Sequence, residues 1–148
     1  MNSTGEPIIV EQYFDTSIEN VWNALTVIDE MTQWYFPNIP SFEPIEGFTT
    51  TFTVQVEDRI YPHLWKIIEV IPMKKIAYEW KFDGYSGSSI SLFELSEERN
   101  QTKLILTATV VEKFPDNIPE FKRESAVAGW NYLINESLRN YLKNNYIQ

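Results

Sequence analysis

The chain has 148 residues and a formal net charge of −9, from 12 basic and 21 acidic side chains. That length fits one domain, residues 1–148 with a core of about 8–143, and the charge argues against nucleic acid or a membrane surface as partner, since both are bound through basic side chains. Cysteine is absent and His63 is the one histidine, which excludes disulfides and leaves a poor zinc ligand set, so we expect no metal and no cofactor.

The first segment, Met1–Pro7, has neither a basic region nor an apolar core, so we expect no signal peptide. No apolar run in the sequence approaches the length of a bilayer-spanning helix. The expected compartment is therefore the cytoplasm.

A strand over Ile8–Phe14 is predicted by its β-branched and aromatic residues. Thr16, with Glu19 three residues later, forms a capping-box pattern that predicts the start of a helix. Apolar residues then recur at the spacing of an amphipathic helix: Ile18, Val21, Trp22, Leu25 and Ile28. A second short helical turn is expected to carry Met31 and Trp34 before two prolines break the chain.

From Thr49 the pattern changes to a period of two, in which Phe52, Val54 and Val56 alternate with polar residues and predict a sheet with one buried face. Further strands are expected at about 61–71, 76–82, 89–96 and 102–112. Asp83-Gly84 and Ser86-Gly87 supply the positive φ angles of a tight connection. Consecutive strands with short turns predict an antiparallel meander.

The last predicted element is a long amphipathic helix. Asn117 with Glu120 offers a cap, Pro119 is tolerated in the first turn, and helical residues continue to about Lys143, a rod of roughly 35 Å. At ~100° per residue, one face carries the apolar stripe: Ala126, Val127, Trp130, Leu133, Ile134, Ser137, Leu138 and Tyr141. A stripe this wide needs a large apolar partner, and the sheet is the available one.

A series of short motifs runs through the chain in a fixed order. They are VWNAL (21–25), QWYF (33–36), IIEVIP (67–72), IAYEW (76–80), FEL (93–95), TKL (102–104) and GWNYL (129–133). In this order, from about Ile8 to Leu142, they resemble START-like proteins of the SRPBCC superfamily. Within it, the chain is most similar to the family related to the C-terminal domain of the activator of heat-shock protein 90 ATPase.

The resemblance implies an α+β helix-grip (START-like) fold, in which a curved antiparallel sheet wraps around the long C-terminal helix and two short helices follow the first strand. It also implies that a cavity often lies between sheet and helix. Co-chaperone activators of the family carry an additional N-terminal domain, for which this chain has no room. Many relatives have a small residue where Trp65 stands, so its ring is expected to fill part of the cavity.

A ligand cavity beside the terminal helix is the expected functional site. Its predicted lining comes from the sheet, the loop after the second helix and the terminal helix: Trp34, Phe36, Trp65, Tyr78, Trp80, Arg123, Val127, Trp130, Leu133 and Ile134. For Trp130 a cavity wall and a core anchor both stay open, and aromatic residues at helical spacing favour the core. Gly129 is expected to let the helix approach a strand closely, since a mid-helix glycine costs about 1 kcal/mol relative to alanine.

Two further features have alternative interpretations. Trp34, Tyr35 and Phe36 are adjacent rings that are not expected all to point inward, so ligand contact, a hydrophobic partner patch and burial under the loop stay open. By helical rotation Arg123 shares the Trp130 face. It would bind the carboxylate or phosphate of an amphipathic ligand, or pair with an acidic residue at the rim, and the rim role is favoured.

General acid–base chemistry would draw on His63, Tyr78 and Glu79. The period of two turns Glu79 away from Tyr78 and toward water, and His63, near a strand start, is expected at the surface. No catalytic set stands out, so enzyme activity is not expected, although the superfamily includes cyclases and hydrolases.

Five tryptophans in a chain that is 15% aromatic exceed what a core of this size needs. We therefore predict a binding protein that holds a small apolar or amphipathic molecule between sheet and terminal helix. The alternative, implied by the resemblance alone, is an interaction module acting on a chaperone ATPase. A cyclase- or hydrolase-like enzyme is a third and less expected class. The chain is expected to be a monomer or a weak dimer.

Overall fold

A six-stranded antiparallel sheet organises the structure, a computed structural model that describes residues 6–146. The strands are β1 (Ile8–Phe14), β2 (Thr49–Val56), β3 (Arg59–Ile71), β4 (Lys75–Phe82), β5 (Ser88–Glu98) and β6 (Gln101–Glu112). Their order across the sheet is β1-β6-β5-β4-β3-β2, which confirms the predicted meander from β2 to β6. The expectation of no signal peptide rests on residues 1–7, of which the first five lie outside the described residues.

Two short helices lie end to end after β1, as predicted. In α1 (Ile18–Thr26) the N-cap is Ser17, whose hydroxyl accepts the backbone N–H of Asn20 at 3.2 Å. The predicted cap at Thr16 is wrong by one residue, because the extended backbone that an N-cap needs occurs at Ser17 (φ −73°, ψ 158°). In α2 (Ile28–Trp34), Met31 and Trp34 are buried as expected.

The terminal helix begins later than predicted. Pro119–Phe121 forms a separate 3₁₀ turn, and the extended backbone of Lys122 (φ −75°, ψ 152°) divides this turn from the helix proper. Asn117 is therefore not the N-cap. The helix, which we call the terminal helix, consists of α3 (Arg123–Asn131), a π-helical segment (Tyr132–Leu138) and α4 (Arg139–Asn145).

The π-helical segment keeps one row of side chains against the sheet. Trp130, Ile134, Leu138 and Leu142 are buried, each four residues after the last. In a pure α-helix four residues overshoot one turn by about 40°, so such a row would rotate away from the sheet. The i→i+5 hydrogen bonding of a π-helix places more residues in each turn and offsets that drift. Polar contacts hold the segment in place, including Ser137 Oγ, which donates to the Trp34 carbonyl at 2.5 Å.

The core lies between the concave face of the sheet, α1, α2 and the terminal helix. Trp65 is its centre, only 2% exposed, with ring centroids 4.8 Å from Tyr78, 4.9 Å from Phe52, 5.0 Å from Trp80 and 5.1 Å from Tyr35. A second, smaller apolar cluster is formed by Tyr61, Val110, Phe114 and Phe121 under the segment that follows β6. The interior therefore consists of two groups of apolar residues, of which the larger is covered by the terminal helix.

The connection from β4 to β5 uses glycine at two positions with positive φ, as predicted: Gly84 (φ +86°) and Gly87 (φ +108°). A Cβ at Gly84 would meet nothing within 4 Å, whereas a Cβ at Gly87 would lie 2.4 Å from Phe114 Cδ1 and 2.8 Å from Phe114 Cα. Gly87 thus permits both an unusual backbone conformation and the close approach of the segment after β6.

Replacing these two glycines separates backbone strain from packing. We expect Gly84→Ala to lower the free energy of unfolding by about 1–2 kcal/mol, the cost of a left-handed backbone for an L-residue. Gly87→Ala adds a collision with the backbone of Phe114, so we expect a loss of about 3 kcal/mol or more. Urea denaturation followed by circular dichroism measures both losses. Equal losses would contradict the close approach at Gly87.

Candidate functional site

A cavity of about 200 Å³ lies between β4, β5, the first half of the terminal helix and the segment after β6. Half of its lining residues are aromatic, and the lining comes from five parts of the chain: Phe36, Trp80, Phe82, Ser89, Ser91, Phe114, Glu120, Phe121, Ala126, Gly129, Trp130 and Leu133. Ser89, Ser91, Phe114, Phe121 and Trp130 are buried, whereas Gly129 is exposed. The cavity therefore has a closed inner end and an opening beside Gly129.

Planar rings form two walls of this cavity. Trp80 and Trp130 meet with their centroids 5.6 Å apart and their planes at 73°. Phe82 and Phe121 lie closer to parallel, 4.9 Å apart at 28°. Such walls present both ring faces and ring edges, which favours contact with another flat apolar molecule.

Two serines on β5 create the free space. Ser89 lies directly opposite Trp80 in the β4–β5 ladder, and Ser91 lies opposite Tyr78. A small residue beside a large ring leaves a gap that a second large side chain would fill, as Phe93 does two residues further on. A β-bulge between Ser88 and Ser89 occurs at this end of β5, where bulges commonly re-aim side chains toward a site.

Glu120 is the charged residue of the lining, and it anchors the segment after β6. Its carboxylate accepts a bidentate pair from Arg59, with Nε at 2.6 Å and Nη2 at 2.9 Å, and a short hydrogen bond from the Tyr61 hydroxyl. These hydrogen bonds, led by the one from Arg59, hold the pKa of the Glu120 carboxyl group below its usual value. The group is therefore set up as an anion and not as a proton donor.

The predicted site residues divide into three groups. Phe36, Trp80, Trp130 and Leu133 line the cavity. Trp34, Trp65, Tyr78 and Ile134 are buried in the adjoining core and Val127 is half-buried beside it, so none of these is part of the lining. Trp65 fills the space over β3, which leaves the free volume over β4 and β5.

The structure places Arg123 away from the cavity. It is exposed in the first turn of the terminal helix, and its guanidinium donates to the backbone carbonyls of Glu6 at 2.6 Å and Pro7 at 3.3 Å. The expected rim pairing with an acidic side chain is therefore not what holds it. The close helix–strand approach expected at Gly129 is also wrong, because a Cβ there would meet nothing within 4 Å. Gly129 instead leaves the cavity open.

The three adjacent rings after α2 do lie together against the core, contrary to the expectation. Trp34 and Tyr35 are buried and Phe36 is half-buried, with Tyr35 stacked on both neighbours at 4.6 and 5.0 Å. The helix ends at Tyr35, whose backbone is neither helical nor extended (φ −97°, ψ −87°). This break removes the periodicity on which the expectation rested. The Tyr35 and Tyr78 hydroxyls pair at 2.6 Å, which satisfies both in the interior.

His63 is buried, at 5% exposure, and not on the surface as expected. β3 begins at Arg59, so His63 is an inward position in mid-strand, stacked on Phe52 at 4.9 Å with Nδ1 2.9 Å from the Tyr61 carbonyl oxygen. Burial lowers the pKa of the imidazole to about 4, and the hydrogen bond to Tyr61 only partly opposes this. The ring is therefore neutral at pH 7. It lies behind three cavity-lining rings, Phe36, Trp80 and Phe82.

The sequence analysis identifies Phe36, Trp80, Trp130 and Leu133 as site residues and misses the other eight of the twelve lining residues. Phe114, Glu120 and Phe121 are missed because they belong to the segment between β6 and the terminal helix, where no periodic pattern indicates which side chains face inward. The signal for Ser89 and Ser91 was present, since two small polar residues occupy inward positions of a strand whose next inward residues are Phe93 and Leu95.

Comparison with known proteins agrees with this architecture. The sequence model of the family described as "Activator of Hsp90 ATPase homolog 1-like protein" matches residues 15–143. Among curated proteins, no sequence matches. Within residues 6–146, no helix is long and apolar enough to cross a membrane.

Solved structures share the fold at low sequence identity. The Aha1 dimer from Colwellia psychrerythraea is 20% identical with a TM-score of 0.73, over 96% of this chain and 99% of that one. A protein from Rhizobium leguminosarum is 18% identical with a TM-score of 0.76, over 94% and 95%. DynU16, from the dynemicin biosynthetic locus, is 19% identical with a TM-score of 0.73, over 94% of this chain and 48% of that one.

The buried His63 makes stability depend on pH. The unfolded chain binds a proton at His63 below a pKa of about 6.5, whereas the folded chain resists it until about pH 4. Stability is therefore complete above pH 6.5 and falls as the pH drops toward 4, by about 2 kcal/mol between pH 7.5 and pH 5.

The comparison that isolates this effect is with His63→Asn, which keeps a side-chain donor near the Tyr61 carbonyl and does not titrate. Urea denaturation at both pH values should show the wild type losing about 2 kcal/mol more than the variant over this step. The 21 acidic side chains also make the unfolding free energy depend on pH, but they do so equally in both proteins. Subtracting the loss in the variant from the loss in the wild type therefore leaves the contribution of His63. Equal losses in both would show that His63 is accessible to protons in the folded state.

Proposed function

Since the chain belongs to the family of activator of Hsp90 ATPase homolog 1-like proteins, we propose that it binds a small, mainly apolar molecule in the cavity beside Trp80, Trp130 and Gly129. One observation carries this proposal. The interior over β3 is filled by Trp65, yet the space over β4 and β5 stays open and is lined by rings. Apolar pockets with a few polar groups are the usual form of small-molecule sites.

The size of the cavity limits the ligand. An apolar cavity of ~150 Å³ is enough to bind benzene, while pockets for drug-sized molecules start at ~300 Å³. At about 200 Å³, this cavity suits one ring or two fused rings. A long acyl chain would have to extend past Gly129 into solvent.

Two other classes of function stay predictions. Action on a chaperone ATPase is implied by the family and is tested by pull-down with the host's heat-shock protein 90 homologue and an ATPase assay. The enzyme class would need a proton donor or base at the cavity. Glu120 is held ionised with a lowered pKa, and both of its carboxylate oxygens accept hydrogen bonds, so it is neither a proton donor nor a strong base. His63 directs Nδ1 to the Tyr61 carbonyl and lies behind the lining, so neither residue favours that class. A cytoplasmic location likewise remains a prediction from the sequence.

Closing the opening tests ligand binding without removing a packing contact. In Gly129→Leu the new side chain enters open space and replaces the poorest ordinary helix former with a good one, so we expect the fold to be kept. The leucine would occupy the mouth of the cavity and weaken binding of naphthalene at least tenfold. Titration followed by the indole N–H signals of Trp80 and Trp130 in NMR spectra measures this affinity.

The matched control is Ala128→Leu, which adds the same side chain one residue earlier, at an exposed position outside the lining. We expect naphthalene affinity within about twofold of wild type, since no cavity volume is lost. If both variants bind like the wild type, or if the wild type shows no binding that perturbs Trp80 and Trp130, this cavity is not the binding site.

A further inference from the structure

We infer that the cavity selects an uncharged, flat aromatic molecule that carries an oxygen substituent, such as a phenol or an aryl ketone, and excludes aromatic acids. This inference rests on the proposed function, and it names the chemical class of the ligand. It also reverses the expectation from sequence, in which Arg123 would bind the acidic group of an amphipathic molecule.

Two serine hydroxyls in the cavity are the reason to expect an oxygen atom on the ligand. Ser89 and Ser91 are more than nine-tenths buried and line the cavity, and neither hydroxyl is hydrogen-bonded to another group of residues 6–146. A hydroxyl that faces an apolar cavity without a protein partner leaves its hydrogen bonding unmet, and a ligand oxygen would pair with it. The indole N–H of the adjacent Trp80 is also buried without a partner in this part of the chain.

The charges around the cavity exclude an acid. Glu120 is the one charged group among the lining residues that the structure describes, and it is negative. Its cation, Arg59, is already engaged by this carboxylate and by Glu57 at 3.0 Å. Arg123 is engaged by backbone carbonyls at the start of the chain. A bound carboxylate would therefore lie beside another carboxylate, with no cation among the lining residues that the structure describes, which is unfavourable.

The walls select a flat ring. Trp80 meets Trp130 edge to face, and Phe82 stacks on Phe121 across the same space. A planar ligand can lie against a ring face while its edge meets the neighbouring ring, and each such pair stabilises the complex beyond the burial of apolar area. A branched aliphatic molecule of the same volume would forgo these contacts.

Three probes of the same shape separate these features: naphthalene, 2-naphthol and 2-naphthoate. Each is titrated at pH 7 into the full chain, with affinity read from the tryptophan indole signals in NMR spectra and Trp80→Phe used to assign the Trp80 signal. We expect 2-naphthol to bind about tenfold more tightly than naphthalene, the worth of one hydrogen bond to an otherwise unpaired group. We expect 2-naphthoate to bind at least tenfold more weakly than 2-naphthol.

The double variant Ser89→Ala with Ser91→Ala tests the polar subsite. It should reduce 2-naphthol affinity about tenfold, to the level of naphthalene, and leave naphthalene within about twofold of wild type. Ser96→Ala, an exposed position on the same strand, is the control and should change neither affinity. Removing an unpaired buried hydroxyl does not threaten the fold, and thermal unfolding of each variant verifies this.

The outcomes distinguish the two proposals. Equal affinity for naphthalene and 2-naphthol, equal weakening of both by the double variant, or 2-naphthoate binding as tightly as 2-naphthol would each overturn the inference while leaving a ligand-binding cavity. Failure of all three probes to perturb Trp80 and Trp130 would overturn the proposed function itself, and the inference with it.

Discussion

The Trp65 side chain occupies the concave face of the sheet over β3 and is only 2% exposed. Its ring contacts rings from β2, β4 and the end of α2, so one side chain joins the sheet to the helical layer. Because indole is the largest side chain available, filling this position leaves no room for a large central cavity. The free volume is confined to the neighbouring strands, and the size, walls and opening of the cavity all follow from that confinement.

The segment after β6 completes the cavity, and electrostatics and packing hold it together. Arg59 and Tyr61 on β3 donate hydrogen bonds to the Glu120 carboxylate, and Phe82 on β4 stacks on Phe121 of the same segment. Gly87 lets the same segment approach the β4–β5 connection closely enough for Phe114 to enter the smaller aromatic cluster. Three separate contacts thus position a wall that has little regular secondary structure of its own.

The sheet could be predicted from the sequence because the period of two is a local signal. Three of the four residues in the buried row of the terminal helix, Trp130, Ile134 and Leu138, could also be predicted, whereas Leu142 could not, since the count of 100° per residue does not include the π-helical segment. The pairing of β1 with β6 could not, since it joins residues about a hundred positions apart with no turn to specify it. The prediction for Arg123 follows from its rotation relative to Trp130, but Arg123 is the first residue of the terminal helix, and its long side chain reaches the carbonyls of Glu6 and Pro7 instead of the cavity. His63 was misplaced because the start of β3 was set two residues too late.

The π-helical segment Tyr132–Leu138 joins α3 to α4 and fixes how far the side chains of α3 are rotated about the helix axis relative to those of α4. The first half, α3, presents Gly129 and Trp130 to the cavity, and the second half, α4, presents Tyr141 and Leu142 to the core. Losing one residue from this segment would turn the first half by about 100° relative to the second. After such a deletion α4 would still pack against the core, but Trp130 would no longer form a wall of the cavity and Gly129 would no longer lie at its opening. Lineages of this domain should therefore tolerate substitutions here far better than changes in length.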